Sequence, residues 1–223
     1  LFTNRPVLGM FVFYLLHKLY FFIYVIYGIS VYDHLYHQPQ AIGLFFTVFS
    51  SAAVLGVVCG KLWTTLFKDS KRSCVMAMAA HIAASLFIAL TFNRVPIPVF
   101  LTLFAVSSFF MGMLETWIMP LYTACAEYGH WKTGVPMYSL VMSTFGLTIS
   151  AAYALPQVIA SFLLRPDSYN QGLTILFAWV PLILAVVAFL SLALIFNLND
   201  AKIKAIQNDL AAGKTQETSE SKL

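Results

Sequence analysis

Apolar residues run along this chain in six long blocks, at about residues 7–31, 41–63, 74–92, 95–122, 135–164 and 173–197, separated by short polar interruptions. A helix that crosses a bilayer needs about 20 mostly apolar residues, and each block supplies roughly that or more. The runs are continuous and do not alternate, which favours helices over the strands of a membrane barrel. The interruptions carry residues that break or turn a helix. Residues 33–40 hold two histidines and Pro39, and residues 68–72 form a charged turn. Residues 93–98 hold Pro96 and Pro98, residues 127–134 are polar and end in Gly134, and residues 165–172 hold Pro166, Asp167, Asn170 and Gly172.

This pattern predicts an all-α membrane protein: a bundle of six transmembrane helices over residues 1–197 and a cytoplasmic tail over 198–223. In the tail, Ile203, Ile206 and Leu210 recur at helical spacing opposite Lys202, Lys204 and Asp209. That spacing predicts a short amphipathic helix lying along the membrane surface. The last nine residues, TQETSESKL, are polar and read as disordered.

Composition sharpens the choice of solvent. Charged residues make up 10% of the chain and hydrophobic residues 60%, with a mean hydropathy of +0.81. A soluble domain carries about a quarter charged residues, so this chain cannot cover a water-facing surface and its solvent is the lipid bilayer. The net charge of +4 does not point to nucleic acid, because basic residues in membrane proteins gather in cytoplasmic loops. Arg5, Lys61, Lys68, Lys71, Arg72, Lys132, Lys202, Lys204, Lys214 and Lys222 fall on one side of the predicted bundle, against Arg94 and Arg165 on the other. The positive-inside rule then places both termini of this segment in the cytoplasm. Cys59, Cys74 and Cys125 share no metal-ligand spacing and read as small packing residues. The first apolar run is too long for a signal peptide, and the chain does not begin with Met, which reads as a segment of a longer polypeptide.

Charge inside the bilayer costs about 2.5–3.5 kcal/mol per residue on insertion scales, so an intramembrane ion marks a functional site by default. Lys18 lies near the middle of the first helix, beside His17, and Glu115 lies in the fourth helix, followed by Trp117. Tyr14, Lys18 and Phe21 share one helical stripe. Aromatic rings beside polar groups suit sugars, whose ring faces stack while their hydroxyls bond. Tyr14, Lys18, Glu115 and Trp117 are therefore the candidate substrate-binding residues. Gly56 and Gly60 form a small-xxx-small pattern that predicts close helix packing inside the bundle. Pro120, Pro136, Pro156 and Pro181 lie in or at the ends of helices, where they predict kinks or hinges. The pattern of an enzyme is missing: no paired carboxylates, HExxH sequence or nucleophile–base spacing occurs. Asp33, His34 and His37 sit together near the outer surface and read as a solvated loop, not a metal site.

Residues 126–134 read Ala-Glu-Tyr-Gly-His-Trp-Lys-Thr-Gly. This resembles the (Asp/Glu)-Tyr-Gly-x-x-Lys-x-Gly box of the glycoside–pentoside–hexuronide:cation symporters. That family lies within the major facilitator superfamily and includes the melibiose carrier and the glucuronide permeases. In the family the box lies between the tenth and eleventh helices; here it lies between the fourth and fifth. Asn4-Arg5-Pro6 resembles the family's lead-in to its seventh helix. The resemblance implies the C-terminal half of a major-facilitator transporter fold, one of two six-helix halves that rock about a central site. It implies a secondary transporter, not an enzyme, that moves a small sugar or glycoside with a co-transported Na⁺ or H⁺ and needs no other cofactor. Its partner would be an N-terminal six-helix half, fused or separate, and its location the bacterial inner membrane.

The box residues Glu127, Tyr128, Gly129, Lys132, Thr133 and Gly134 are the expected gating motif at the cytoplasmic mouth. Glu127 and Lys132 are expected as fixed charges that pair in one conformation, and the two glycines as the means of a tight turn. The chain departs from the family at Pro136 and Tyr138, where an Arg and a Glu are usual, and at Ser150, where many members carry a Lys. Glu115 stands where the melibiose carrier has its cavity tryptophan. If Lys18 holds an anionic group, a hexuronide is the expected substrate. The rival reading is a truncated, non-transporting membrane protein that keeps the half-fold.

Overall fold

The computed structural model describes residues 4–216. Six helices are long and apolar enough to cross a membrane: α1 Arg5–Leu35, α2 Pro39–Phe67, α3 Ser70–Thr91, α4 Ile97–Thr133, α5 Tyr138–Leu163 and α6 Pro166–Ile195. A seventh, short helix α7 covers Asp200–Ala211. The described residues contain no strand. The chain is thus all-α, with six spanning helices in the order that the hydropathy blocks predict.

Helix ends follow local chemistry. Pro6 sits in the first turn of α1, where a missing N–H costs nothing. Lys68 closes α2 in the left-handed region (φ 56), and the next residue, Asp69, caps α3 by accepting from Arg72 N at 2.8 Å. Asn199 caps α7 in the same way, accepting from Lys202 N at 2.9 Å. Pro120 and Pro156 lie inside α4 and α5. In α6, a wider π-helical turn at Ile175–Trp179 comes just before Pro181, where the helix must absorb a missing donor. Pro136 lies in the link before α5.

The helices α1 and α4 cross the middle of the bundle. The former packs on α5 and α6, and the latter on α2 and α3, while α3 also meets α6. The α2–α4 crossing is close because three glycines line it. A Cβ on Gly56 would run into the Phe109 carbonyl, one on Gly60 into Thr116, and one on Gly112 into the backbone of Ala53. The small-xxx-small pattern of α2 is therefore an internal packing device, as its spacing predicts. Aromatic rings fill the end of the core near the α1–α2 connection, where Phe45, Phe104 and Phe177 bring α2, α4 and α6 together. The helices α2 and α5 are the two least covered by the rest of the chain.

The apolar stripe of the tail helix turns toward the protein. Ile206 is 4% exposed, and Ile203 and Leu210 pack against the same core. The apolar face of α7 lies on the end of α4, held by Trp131 Nε1 donating to Asp209 Oδ2 at 3.1 Å and Gln207 Nε2 donating to Glu127 Oε2 at 2.9 Å. The protein surface offers this stripe both apolar cover and polar partners. Residues 217–223, most of the segment expected to be disordered, lie outside the described residues.

Candidate functional site

Two charged side chains from opposite halves of the chain meet in the middle of the bundle. Lys18 Nζ donates to Glu115 Oε1 at 2.6 Å. The same oxygen lies 2.8 Å from His17 Nε2, so one carboxylate oxygen serves two donors. His17 is fully buried, and its Nδ1 is 2.5 Å from the Tyr20 hydroxyl. Burial away from water favours the neutral imidazole, in which Nε2–H goes to Glu115 and Nδ1 accepts from Tyr20. The cluster then carries one positive and one negative charge and no net charge, which an apolar surrounding tolerates better than either ion alone.

Aromatic rings wall the pair. Lys18 Nζ lies 5.4 Å from the Tyr14 ring centroid and 5.2 Å from that of Phe21, within the range of cation–π attraction. Tyr14 in turn stacks on Phe145 of α5 at 4.8 Å, nearly parallel, and meets Tyr122 of α4 edge-on at 5.7 Å. The side chain of Glu115 is 33% exposed and that of Lys18 16%. The pair is therefore reachable from outside the chain, with the carboxylate the more open member.

Behind it, the polar chain continues into the core. Tyr20 stacks on His81 of α3 at 5.0 Å. His81 Nδ1 is 3.0 Å from the Ser107 carbonyl of α4, and Ser85 and Ser107 join hydroxyls at 3.2 Å. These buried polar groups satisfy one another, as groups without water must, and they tie α1, α3 and α4 together beneath the pair.

Of the four candidate substrate residues, the structure brings Tyr14, Lys18 and Glu115 together. Trp117 is turned elsewhere: it is buried against α2 and donates to Thr64 Oγ1 at 2.8 Å. Two residues along a helix is a rotation of about 200°, so a neighbour at that spacing faces away from Glu115. Spacing along α1 named Tyr14 and Phe21, whereas His17, Tyr20 and Phe145 join the site without having been singled out. His17 carried a usable signal, an ionisable group mid-membrane next to Lys18. Phe145 carried none, because one phenylalanine among 20 says nothing until α5 is placed.

The box at 126–134 is not the loop expected from its polarity. Helix α4 runs through it to Thr133, and Gly134 alone makes the turn, at φ 70 with its N–H on the His130 carbonyl. Thr133 Oγ1 returns to the Gly129 carbonyl at 2.8 Å. Gly129 is a packing residue, not a turn: a Cβ there would lie 2.8 Å from Met137 Sδ and 3.1 Å from Asn4 Nδ2. The Asn-Arg-Pro segment and the box therefore meet in space. Tyr128 lies beneath Lys202 Nζ, 5.6 Å from the ring centroid, and Lys132 is exposed. Among the described residues, the ion pairs are those of Glu115 and an exposed one between His34 and Asp33 at 3.7 Å. Glu127 bonds to α7 through Gln207.

A family described as MFS/sugar transport protein matches the chain over residues 1–200. No curated protein matches the chain.

Proposed function

The chain belongs to the MFS/sugar transport family, and from that membership we propose that it is the C-terminal half of a sugar–cation symporter, working with a second six-helix half. It is a multi-pass membrane protein of a transporter family and not an enzyme. The observation that carries the finer reading is the Lys18–Glu115 pair at 2.6 Å, set in an aromatic wall and open on one side. A sugar needs ring faces to stack on and charged groups to bond its hydroxyls; the half-buried rings of Phe21 and Phe145 and the ion pair offer both, while Tyr14, 2% exposed, backs the wall from within.

The two least covered helices support a second half. On α2, Gly43, Thr47 and Ser50 lie exposed along one stripe that continues through Val54 and Lys61 to Thr65, and on α5, Ser139, Ser143, Gly146 and Ser150 do the same, in a stripe that continues through Tyr153 to Gln157. Small and hydroxylic residues let helices approach closely in a membrane. The hydroxyls of Thr47, Ser143 and Ser150 bond back to the carbonyls of Gly43, Ser139 and Gly146, so they need no other partner. Beside them run large side chains, Leu55, Val58, Leu62 and Leu66 on α2 and Leu147 and Phe162 on α5, all exposed, as lipid requires. The position of the Glu-Tyr-Gly box after the fourth spanning helix supports the C-terminal assignment. The Lys and Arg distribution supports a cytoplasmic location for the box, in a plasma membrane of the bacterial inner-membrane type.

The test is uptake of labelled glycosides by vesicles holding the full native polypeptide, with Na⁺ and proton gradients imposed in turn. Accumulation driven by one gradient is the expected result. Sugar equilibration indifferent to both would overturn symport, and no sugar movement would favour a half-fold without transport.

A further inference from the structure

We propose that the groove between α3 and α6, at the end of the bundle that carries α7, seats an anionic phospholipid, with its phosphate on Arg72 and its chains along the apolar face of α3. The site lies on the outer surface of the bundle and does not depend on what the chain transports.

The groove has a volume of about 470 Å³. Phe67, Val75, Met76, Ala193 and Leu198 line it with apolar surface, and Asp69, Lys71 and Arg72 add charge. Two of these three charges are already engaged. Asp69 accepts from Arg72 N with one oxygen and from Asp200 N with the other. Lys71 Nζ donates to the Ala193 and Phe196 carbonyls at the end of α6. The Arg72 side chain is exposed, and among the described residues its guanidinium makes no ion pair and no hydrogen bond. Two cations against one carboxylate leave the groove with one positive charge, and its free member is a planar fork of donors that matches a phosphate.

The surface beyond Arg72 gives the anion a tail. On α3, Arg72, Met76, Ala83, Phe87 and Leu90 are all exposed, and at 100° per residue they fall within about 60° of one another around the helix. On α6, Ile183, Val187, Leu190 and Leu194 form a second exposed apolar stripe. Neither stripe holds the hydroxylic residues that mark α2 and α5, so both need lipid and not a second half. A soluble anion would use Arg72 and leave these side chains bare, whereas a phospholipid satisfies both. The groove lies at the α2–α3 turn and the end of α6, where the spans stop and headgroups begin. Basic residues crowd this end of the bundle, which places it in the leaflet whose anionic lipids attract them. Because Asp69 and Lys71 join α3 to α7 and to the end of α6, a lipid seated here also braces that junction.

The test titrates the full native polypeptide in detergent with phosphatidylglycerol, phosphatidylcholine and the chain-free headgroup glycerol phosphate, and counts bound lipid by native mass spectrometry. Phosphatidylglycerol is expected to bind about five- to tenfold more tightly than phosphatidylcholine, the worth of one well-placed cation, and glycerol phosphate to displace neither. Arg72→Gln is expected to abolish the preference and keep the parent's thermal midpoint in phosphatidylcholine, since that side chain bonds to nothing described in the chain. Met76→Trp keeps every charge but narrows the groove, and is expected to weaken phosphatidylglycerol binding. Arg94→Gln, which removes an exposed cation at the other end of the bundle, is expected to leave the preference intact. Equal affinity for the two lipids, or a preference that survives Arg72→Gln, overturns the proposal. So does parent-like phosphatidylglycerol binding by Met76→Trp, which would put the lipid outside the groove. Displacement by glycerol phosphate would make Arg72 a site for a soluble anion and overturn the lipid assignment.

Discussion

Lys18 and Glu115 stand 97 positions apart in the chain, yet their charged atoms are 2.6 Å apart across the α1–α4 crossing. Neither charge has a cheap place in a bilayer alone, so the helix crossing and the ion pair stabilise each other. With His17 donating to the same oxygen, the pair also reports how the core beneath it is assembled.

Removing one charge from this pair should harm the fold more than removing both. Lys18→Met leaves a carboxylate with only an imidazole partner, and Glu115→Gln leaves an ammonium among rings. The double variant leaves neither. A double-mutant cycle read by thermal unfolding in detergent is expected to give a coupling of roughly 0.5–3 kcal/mol, with the double variant more stable than the sum of the singles. Strict additivity would show that the two side chains do not share an energy.

The α2–α4 contact leaves no room for side chains at its glycines. Gly56→Ala and Gly112→Ala each drive a methyl into backbone of the facing helix, which cannot rotate away. Each is expected to destabilise the bundle by about 1–3 kcal/mol, the usual cost of overpacking. Unfolding midpoints would measure it, and a midpoint equal to the parent's would mean that the helices are not this close.

The tail helix is held by interlocked caps. Asp69 Oδ2 accepts from Asp200 N at 3.0 Å, while Asp200 Oδ2 accepts from Ser70 N at 2.9 Å and from Ser70 Oγ at 3.1 Å. Lys71 Nζ meanwhile donates to the Ala193 and Phe196 carbonyls, closing the end of α6. Asp69→Ala removes the α3 cap and the anchor of α7 together. A cap alone is worth about 0.5–2 kcal/mol. Hydrogen exchange should therefore quicken in α7 and in the first turn of α3 while the middle of α1 stays protected. Unchanged exchange in α7 would mean that its apolar face and its bonds to Trp131 and Glu127 hold it without Asp69.

Gly146 offers a test of the second half that spares the first. It lies exposed on α5, with nothing within 4 Å of the position its Cβ would take. Gly146→Leu should leave the thermal stability of this chain nearly unchanged, as helix propensity favours leucine over glycine. If the small-residue stripe seats a partner half, the same substitution should block sugar uptake by the full polypeptide. Normal uptake would place that stripe against lipid.

Much was legible from the residues in order. Six spans, their helical nature, the mid-membrane charges and the internal role of Gly56 and Gly60 follow from hydropathy, cost of charge and spacing, because each is a property of one helix in one solvent. The box shows the limit: its polarity suggested a loop, but polar residues also extend a helix beyond the membrane, and only Gly134 has the backbone that ends it.

What the tertiary structure decided was which groups meet. Trp117 and Phe145 show why. Trp117 lies two positions from Glu115 and is turned onto Thr64 of α2, whereas Phe145 is distant in sequence and stacks on Tyr14. The sequence determines which residues a helix carries and how deep each sits. The rotation of each helix about its axis, and the neighbour it faces, come from packing all six at once. Pairings such as Lys18 with Glu115 arise only there.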